Sequence, residues 1–175
     1  MKSIIVFLIL FNGFNFETAE LIQKQVVSTY GVTCMVINGH DLPERFSVKK
    51  MNRIVADSIV SHMDKMNDGK SIYVGLLDDD ICTRARGYQY WGIFGYSYKS
   101  GCVISSYRMK DSDSKLTLIR LMKVTIHEIG HSFGLGHCLT PSCIMNDAEK
   151  KISTVDKEEM SICPKCKRVL QIILE

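Results

Sequence analysis

The residues best suited to chemistry lie close together, in the segment HEIGHSFGLGH at residues 127–137. His127 and His131 are four residues apart, so on a helix both imidazoles project from one face and can bind the same metal ion. Gly134 can turn the chain sharply out of the helix, which would bring His137 back as a third ligand. Three imidazoles leave one position of a tetrahedral zinc ion open, and water bound there has its pKa lowered to about 7.

Glu128 directly follows the first histidine and is the candidate catalytic residue. A carboxylate beside a zinc-activated water can take its proton and later pass it to the leaving amine of a peptide bond, as general base and then general acid. Ordinary surface histidines are a poor explanation, because three of the chain's five histidines lie in this one segment. The pattern therefore predicts a zinc-dependent metallopeptidase.

A second set of potential ligands begins one residue after the third histidine. It has the pattern C-x4-C, a spacer and C-x-x-C, and it consists of Cys138, Cys143, Cys163 and Cys166. Four thiolates suit a closed structural zinc site, with two disulfides or one redox-active pair as the alternatives. Because Cys138 adjoins His137, a structural ion would fix the backbone that presents the last catalytic ligand. We expect two zinc ions per chain, one catalytic and one structural.

The stretch from His127 to Cys166 resembles the archaemetzincin family of zinc metallopeptidases. The HExxH motif, the following Gly and His, a C-x4-C-x-M segment ending at Met145, and CxxC after a 17-residue spacer all occur in the family's order. The resemblance implies a metzincin-like zincin domain with Glu128 as the base. It also implies that Met145 is the methionine of a Met-turn beneath the metal, and that the enzyme cleaves peptides or small proteins as an aminopeptidase. The residues themselves leave exo- and endo-cleavage open.

The chain departs from some better-known metzincins, which place a tyrosine soon after the Met-turn to stabilise the oxyanion. No tyrosine follows Met145 closely, which leaves the zinc ion as the main candidate electrophile. Aromatic residues at this density are more typical of strand packing than of catalysis. The upstream alternatives are Tyr88, Tyr90, Tyr96, Tyr98 and Tyr107.

The elements that must position these residues form an α/β (α+β) pattern, with a twisted mixed sheet and covering helices. The apolar run at residues 4–11 resembles the start of a secretory signal, but it is too short to span a bilayer and precedes an amphipathic helix at 17–30. We therefore expect it to be the first strand. The other predicted elements are a strand at 32–37, a helix at 47–66, a strand at 72–77, two strands within 88–107 joined near 99–101, and an active-site helix at 114–133. By resemblance, one of the two Tyr-rich strands is the edge strand above the cleft.

Length and composition predict one domain with a single core, since the chain has 175 residues of which 46% are hydrophobic. Within it we expect an N-terminal subdomain at 1–134 and a small zinc-stabilised C-terminal subdomain at 135–175. The net charge of +3 indicates neither a nucleic acid nor a membrane partner. We expect a cytoplasmic monomer that acts on a peptide or small protein substrate, with zinc rather than disulfides on the cysteines.

Two alternatives of another class stay open. One is a non-enzymatic, zinc-stabilised module that binds a peptide or another partner through an inactive zincin site, although a purely structural site has no need of Glu128. The other is a zinc-ribbon nucleic-acid binder, which needs a larger basic cluster than Lys165, Lys167 and Arg168 provide.

Other polar and thiol residues receive structural interpretations. We expect a solvated turn at Asp78, Asp79 and Asp80, surface or capping roles for His40 and His62, and buried apolar packing for Cys34, Cys82 and Cys102.

Overall fold

The computed structural model describes residues 4–66, 68–85, 87–147 and 151–174. The helices are α1 (Phe16–Tyr30), α2 (Ala56–Met63), α3 (Ser114–Ser132), α4 (Ile152–Lys157) and α5 (Pro164–Leu174). The strands are β1 (Ile5–Leu10), β2 (Thr33–Asn38), β3 (Ser47–Val48), β4 (Arg53–Val55), β5 (Ser71–Leu77), β6 (Ile81–Ala85), β7 (Tyr88–Ile93), β8 (Gly95–Tyr98) and β9 (Gly101–Ser105).

The strands form two sheets, and the larger one has the order β2-β1-β5-β9-β8. Its first four strands are parallel, and β8 pairs antiparallel with β9 as an edge strand. The smaller sheet has the order β3-β4-β6-β7. Helices α1 and α3 contribute to one buried cluster and α2 to another, so the main sheet is covered on both faces. The predicted mixed sheet with covering helices is confirmed.

The N-terminal apolar run is a central strand of the main sheet, as predicted. Strand β1 pairs with β2 on one side and β5 on the other, and Val6 and Leu8 are fully buried. The Asn15 side chain caps α1 by accepting a 2.7 Å hydrogen bond from the Thr18 amide. Among the described residues, no helix combines the length and apolar character needed to cross a membrane.

The prediction of one helix at 47–66 is wrong in its first half. Strands β3 and β4 occupy part of this segment, and helix α2 begins only at Ala56. Asn52 has a φ of 49°, which interrupts a helix, and the Ile54 amide donates a 2.8 Å hydrogen bond to Asp80 O. Pairing of β4 with β6 therefore overrides the helical spacing of the apolar residues.

The Tyr-rich segment contains three strands rather than the two predicted, because β7 belongs to the smaller sheet while β8 and β9 belong to the larger one. The predicted turn between β8 and β9 is confirmed, and Lys99 has a φ of 54° there. Strand β6 was not predicted. It has neither a long apolar run nor a regular alternation to mark it.

The three aspartates after β5 do not form a simple solvated turn. Asp78 and Asp79 are exposed, but Asp80 is buried and pairs with Arg53 at 2.8 Å and Arg108 at 2.6 Å. The prediction fails because adjacent side chains at a strand end point in different directions, which sequence alone does not reveal.

The isolated histidines and thiols mostly follow expectation. His40 is exposed, whereas His62 is partly buried and the two rings lie with their Nε2 atoms 3.3 Å apart. The predicted burial of Cys34, Cys82 and Cys102 is confirmed.

Two basic side chains of α3 fasten α4 against it. Arg120 binds both carboxylate oxygens of Asp156, at 2.7 and 2.8 Å, and also Asp111 at 3.2 Å. Lys123 Nζ donates to Val155 O at 2.9 Å and Asp156 O at 3.1 Å. The buried cluster beneath α3 continues into the C-terminal segment through Cys143, Met145 and Leu170 and others. The boundary at residues 134–135 stays a prediction.

Replacement of Asp156 should expose the stabilising effect of its pair with Arg120. The hydrogen bond from Arg120 lowers the pKa of Asp156, so the charged form stabilises the fold above the unfolded pKa of about 3.9, and this contribution is lost as pH falls through the lower folded value. Asp156→Asn should therefore lower the free energy of unfolding by roughly 1–2 kcal/mol at pH 7 in urea titrations, and by less near pH 3.

Glu44→Gln provides the matched control, because the Glu44–Lys49 pair has both side chains 77% exposed. Its effect should be close to zero. Equal losses in the two variants at pH 7 would show that the Arg120–Asp156 pair adds nothing beyond a surface contact.

Candidate metal centres and active site

The end of α3 and the turn after it bring the three histidines together. His127 and His131 lie on the last turns of the helix, and Gly134, with a φ of 89°, reverses the chain so that the Leu135 amide donates to Gly130 O at 2.9 Å. The ring centroid of His137 then lies 5.4 Å from that of His127 and 4.9 Å from that of His131. One nitrogen of each ring lies within 4.8 Å of the others.

Hydrogen bonds determine which ring nitrogens face one another. Nδ1 of His127 lies 2.8 Å from Ile144 O, and Nδ1 of His131 lies 2.8 Å from Leu135 O. A carbonyl oxygen only accepts, so each Nδ1 carries the proton and each Nε2 presents a lone pair. Burial lowers the pKa of His127 to about 4, which keeps that ring neutral at pH 7.

The two Nε2 atoms lie 2.9 Å apart. Two lone pairs at this distance repel unless a cation lies between them, so the donor set fits a metal ion. Zinc, with Zn–N distances of about 2.0–2.1 Å, suits imidazole ligands at this spacing.

Glu128 lies between the histidines and edge strand β8. Ser97 Oγ donates to the Glu128 carboxylate and lies 3.0 Å from Glu128 O. A Cβ at Gly95 would come within 2.8 Å of Glu128 Oε1, so only glycine leaves room for the carboxylate there. Burial raises the pKa of Glu128, while the bond from Ser97 and the neighbouring His131 lower it.

The segment from Cys143 to Met145 supports the histidines from below. Ile144 O binds His127, and the Cys138 amide donates to Met145 O at 2.8 Å. The Met145 side chain is fully buried and packs so closely on Gly130 of α3 that a Cβ there would overlap its sulfur. The structure thus places Met145 under the active-site helix.

The four cysteines of the second pattern also come together. Their sulfur atoms all lie within 4.8 Å of one another, and Cys138 Sγ is 3.8 Å from Cys163 Sγ. This separation exceeds the disulfide bond length of about 2.05 Å, whereas four sulfurs at about 2.3 Å from one zinc ion lie about 3.8 Å apart. The donor set and spacing fit a structural zinc.

Hydrogen bonds to the sulfurs favour thiolates at two of these positions. Burial opposes ionisation of Cys163, but the Cys166 amide and neighbouring donors lower its pKa to about 6. Bonds from Thr140 lower the pKa of Cys138. Burial raises the pKa of Cys166, so a bound cation would be needed to hold it as a thiolate.

The histidines and Glu128 line a cleft of about 730 Å³. Its apolar walls come from α3, α4, the residue before β8 and the segment after the third histidine, and they include Phe94, Val124, Ile144, Ile152 and Val155. Several of its polar residues were not identified from sequence, because no motif marks them: Ser97, Arg108, Lys123, Asn146 and Glu158. Asp147, which lies 3.6 Å from His137 Nδ1, is also among them.

The structure does not single out a tyrosine as the group that stabilises the oxyanion. Tyr96 lines the cleft, but its hydroxyl interacts with Asp57 and its ring packs on the α2 side of the sheet. Tyr98 and Tyr107 are about half exposed, at 54% and 49%. Tyr90 lines a neighbouring groove, and the Tyr88 side chain lies outside the described residues.

Comparison with known proteins agrees with this geometry. The model of Peptidase family M54 matches residues 17–172, which is most of the chain. The chain belongs to this family. The archaemetzincin of Methanopyrus kandleri is 31% identical over 132 residues, covering 74% of this chain and 73% of the relative. That of Haloquadratum walsbyi is 30% identical over 126 residues, covering 66% and 69%.

Solved structures of family members have the same fold. The crystal structure of the Methanopyrus kandleri archaemetzincin has a TM-score of 0.83 at 26% identity, covering 99% of this chain and 96% of that one. The archaemetzincin of Archaeoglobus fulgidus, at 24% identity, has a TM-score of 0.77 and covers 93% and 98%. The resemblance noted in the sequence is confirmed, and the chain is a zinc metallopeptidase of the archaemetzincin type.

Removal of one cysteine ligand should halve the zinc content. After dialysis, Cys163→Ser should retain about one zinc ion per chain where the wild type retains about two, measured by atomic emission, because three thiolates leave the site incomplete. Cys34→Ser, which changes a buried thiol outside both clusters, should retain two. Two ions in the Cys163 variant would argue against a zinc site on these cysteines.

A methyl group at Gly130 should disturb the active-site helix. Gly130→Ala places a Cβ against Met145 Sδ and 3.1 Å from Tyr30 Oη, so the free energy of unfolding should fall by roughly 1–3 kcal/mol. In Gly136→Ala the new Cβ meets no atom within 4 Å, which makes this variant the control. Unchanged thermal unfolding in Gly130→Ala would mean that Met145 can move aside freely.

Proposed function

We propose that this metallopeptidase hydrolyses peptide bonds with Glu128 as general base and then general acid. The observation that carries the proposal is the position of the Glu128 carboxylate. It lies in one cleft with three converging histidines and beside β8, whose outer edge pairs with no other strand of the described residues. A zinc ion held by His127, His131 and His137 would polarise the scissile carbonyl and lower the pKa of the attacking water. A second zinc on the four cysteines would be structural.

Glu128 takes up and returns the proton in this proposal. Its carboxylate is held by Ser97, so it is oriented before substrate arrives. Burial raises the pKa of Glu128. A carboxyl group with a raised pKa is better suited to accept a proton and then donate it at neutral pH. Gly95 allows the carboxylate to approach the strand along which a peptide would lie.

Strand β8 would hold the substrate backbone. It is the last strand in the order of the main sheet, so its outer edge can pair with an extended peptide as an added strand. The apolar cleft wall formed by Val124, Ile144 and Val155 would then receive a side chain next to the scissile bond. Met145, as the Met-turn residue, would keep the histidines in position from beneath α3.

We further propose aminopeptidase-like cleavage, in keeping with the family resemblance. An aminopeptidase must bind the substrate's α-ammonium group, and Glu158 contributes a carboxylate to the cleft wall, oriented by Asn146 Nδ2 at 3.0 Å. The proposed setting is a cytoplasmic monomer, which agrees with the finding that none of the seven cysteines forms a disulfide. Sedimentation equilibrium tests the monomer, whose mass is 19.8 kDa.

Replacement of Glu128 tests the chemistry directly. Glu128→Gln keeps the shape of the side chain but cannot accept the proton, so kcat on a mixed peptide library should fall by about 10²- to 10⁴-fold with the zinc content unchanged. Glu159→Gln, which changes an exposed carboxylate outside the cleft, should behave as the wild type. Equal cleavage by wild type and Glu128→Gln would contradict the mechanism, and no cleavage by the wild type would favour the binding-module alternative.

The same library decides between exo- and endo-cleavage. Sequencing of the products should show release of single N-terminal residues, and N-acetylated copies of the same peptides should resist cleavage. Internal cleavage of the acetylated peptides would exclude the aminopeptidase proposal while leaving the role of Glu128 intact.

A further inference from the structure

A cluster of charged residues outside the motif lies at the margin of the active-site cleft. Asp80 is 8% exposed and bonds to Arg53 Nε at 2.8 Å and to Arg108 Nε at 2.6 Å. A second bond of 2.8 Å joins an Arg108 Nη to the other Asp80 oxygen. Two guanidinium groups thus share one carboxylate, and the cluster carries a net charge of +1.

Only one of the two arginines reaches the catalytic cleft. Arg108 lines both this cleft and the adjoining groove formed by β7, while Arg53 lines the groove alone. Arg53 Nη1 is directed to Tyr90 O at 2.9 Å. Asp80 uses two of the five N–H donors of Arg108, which leaves donors at the cleft in a side chain that is 31% exposed.

Gly92 leaves room for the Arg108 guanidinium to lie close to strand β7. A Cβ at Gly92 would overlap that guanidinium, just as a Cβ at Gly95 would crowd the Glu128 carboxylate. The two glycines are three residues apart, so their Cα atoms are at most about 11 Å apart. Two or three extended peptide residues cover the same span.

We propose that Arg108 binds a carboxylate of the substrate, two or three residues beyond the scissile bond on its C-terminal side. The inference rests on the proposed peptidase function and makes Arg108 a specificity-determining residue for short peptides. A peptide antiparallel to β8 runs toward Gly95 and then Gly92, which leads its C-terminal end to Arg108. Arginine suits this task because its planar fork matches a carboxylate, and Asp80 holds the fork in place.

Among the described residues, Lys123 is the other lysine or arginine that lines the cleft, and it is less suited to the same role. Its Nζ already donates to two backbone carbonyls, Val155 O and Asp156 O, and the Lys123 side chain is largely buried. Its amino group therefore serves to hold α4, whereas Arg108 retains donors for a ligand.

The test compares three tetrapeptides. They are Ala-Ala-Ala-Ala with a free C-terminal carboxylate, the C-terminal amide of the same peptide, and Ala-Ala-Ala-Glu amide, whose only carboxylate is the Glu side chain. The zinc-loaded wild type should show a kcat/KM about 10- to 100-fold higher for the free acid than for the amide. Recovery of the preference by the Glu-containing amide would show that a side-chain carboxylate also binds. No recovery would assign the site to the terminal carboxylate.

Arg108→Gln should lower kcat/KM for the free-acid peptide, so that the ratio of kcat/KM for the acid to that for the amide comes close to 1. Arg53→Gln is the matched control, since it removes the other guanidinium from Asp80 outside the cleft, and its ratio should stay as in the wild type. A wild-type ratio near 1, or an Arg108→Gln ratio equal to that of the wild type, would overturn the proposal. If Arg108→Gln does not fold, Gly92→Ala, whose methyl displaces the guanidinium, should lower the same ratio.

Measurements of peptide binding distinguish a failure of the carboxylate-site proposal from a failure of the proposed peptidase function. Calorimetry with zinc-loaded Glu128→Gln should give the same preference for the acid in Kd, and the double variant with Arg108→Gln should lose it. Arg108-dependent binding without hydrolysis by the wild type would support the carboxylate site and contradict the peptidase mechanism. Hydrolysis without a preference would contradict only the carboxylate site, and neither binding nor hydrolysis would contradict both.

Discussion

The hydrogen bond from His127 Nδ1 to Ile144 O is the interaction on which the active site most depends. It fixes the ring so that its Nε2 lone pair faces that of His131. It also joins the active-site helix to the segment that carries Met145 and presents Cys143 to the cysteine cluster. Since the Cys138 amide bonds to Met145 O, the third histidine, the cysteine cluster and the helix are coupled through a few backbone groups. The histidine set and the cysteine cluster therefore share the backbone that positions them.

Three glycines decide how closely functional side chains approach the backbone. Gly130 admits Met145 beneath α3, Gly95 admits Glu128 beside β8, and Gly92 admits Arg108 at the margin of the cleft. In each case a methyl group would occupy the space of the functional atoms. The absence of side chains at Gly95 and Gly92 thus lets a carboxylate and a guanidinium lie against the strands that border the cleft.

Buried charged side chains position the elements that surround the active site. Arg120 and Lys123 hold α4 over the cleft, and Asp80 holds Arg108 at its margin. Neither arrangement is a simple surface ion pair, because the Arg120 and Asp80 side chains are only 9% and 8% exposed. Such groups are costly to bury without partners, so they specify the position of the loops and helices that they join.

The sequence by itself indicated which histidines and cysteines could hold metal ions, because metal ligands must have particular residue types at spacings set by the helix period and by short turns. The family, the central strand β1, the helix with HExxH and the turn at Gly134 were all predictable from local patterns. The tertiary structure alone decided the supporting residues, since Ser97, Ile144 and Arg108 reach the site across long sequence separations. It also decided the start of α2 at Ala56 and the burial of Asp80, where pairing between β4 and β6 outweighs the local helical period.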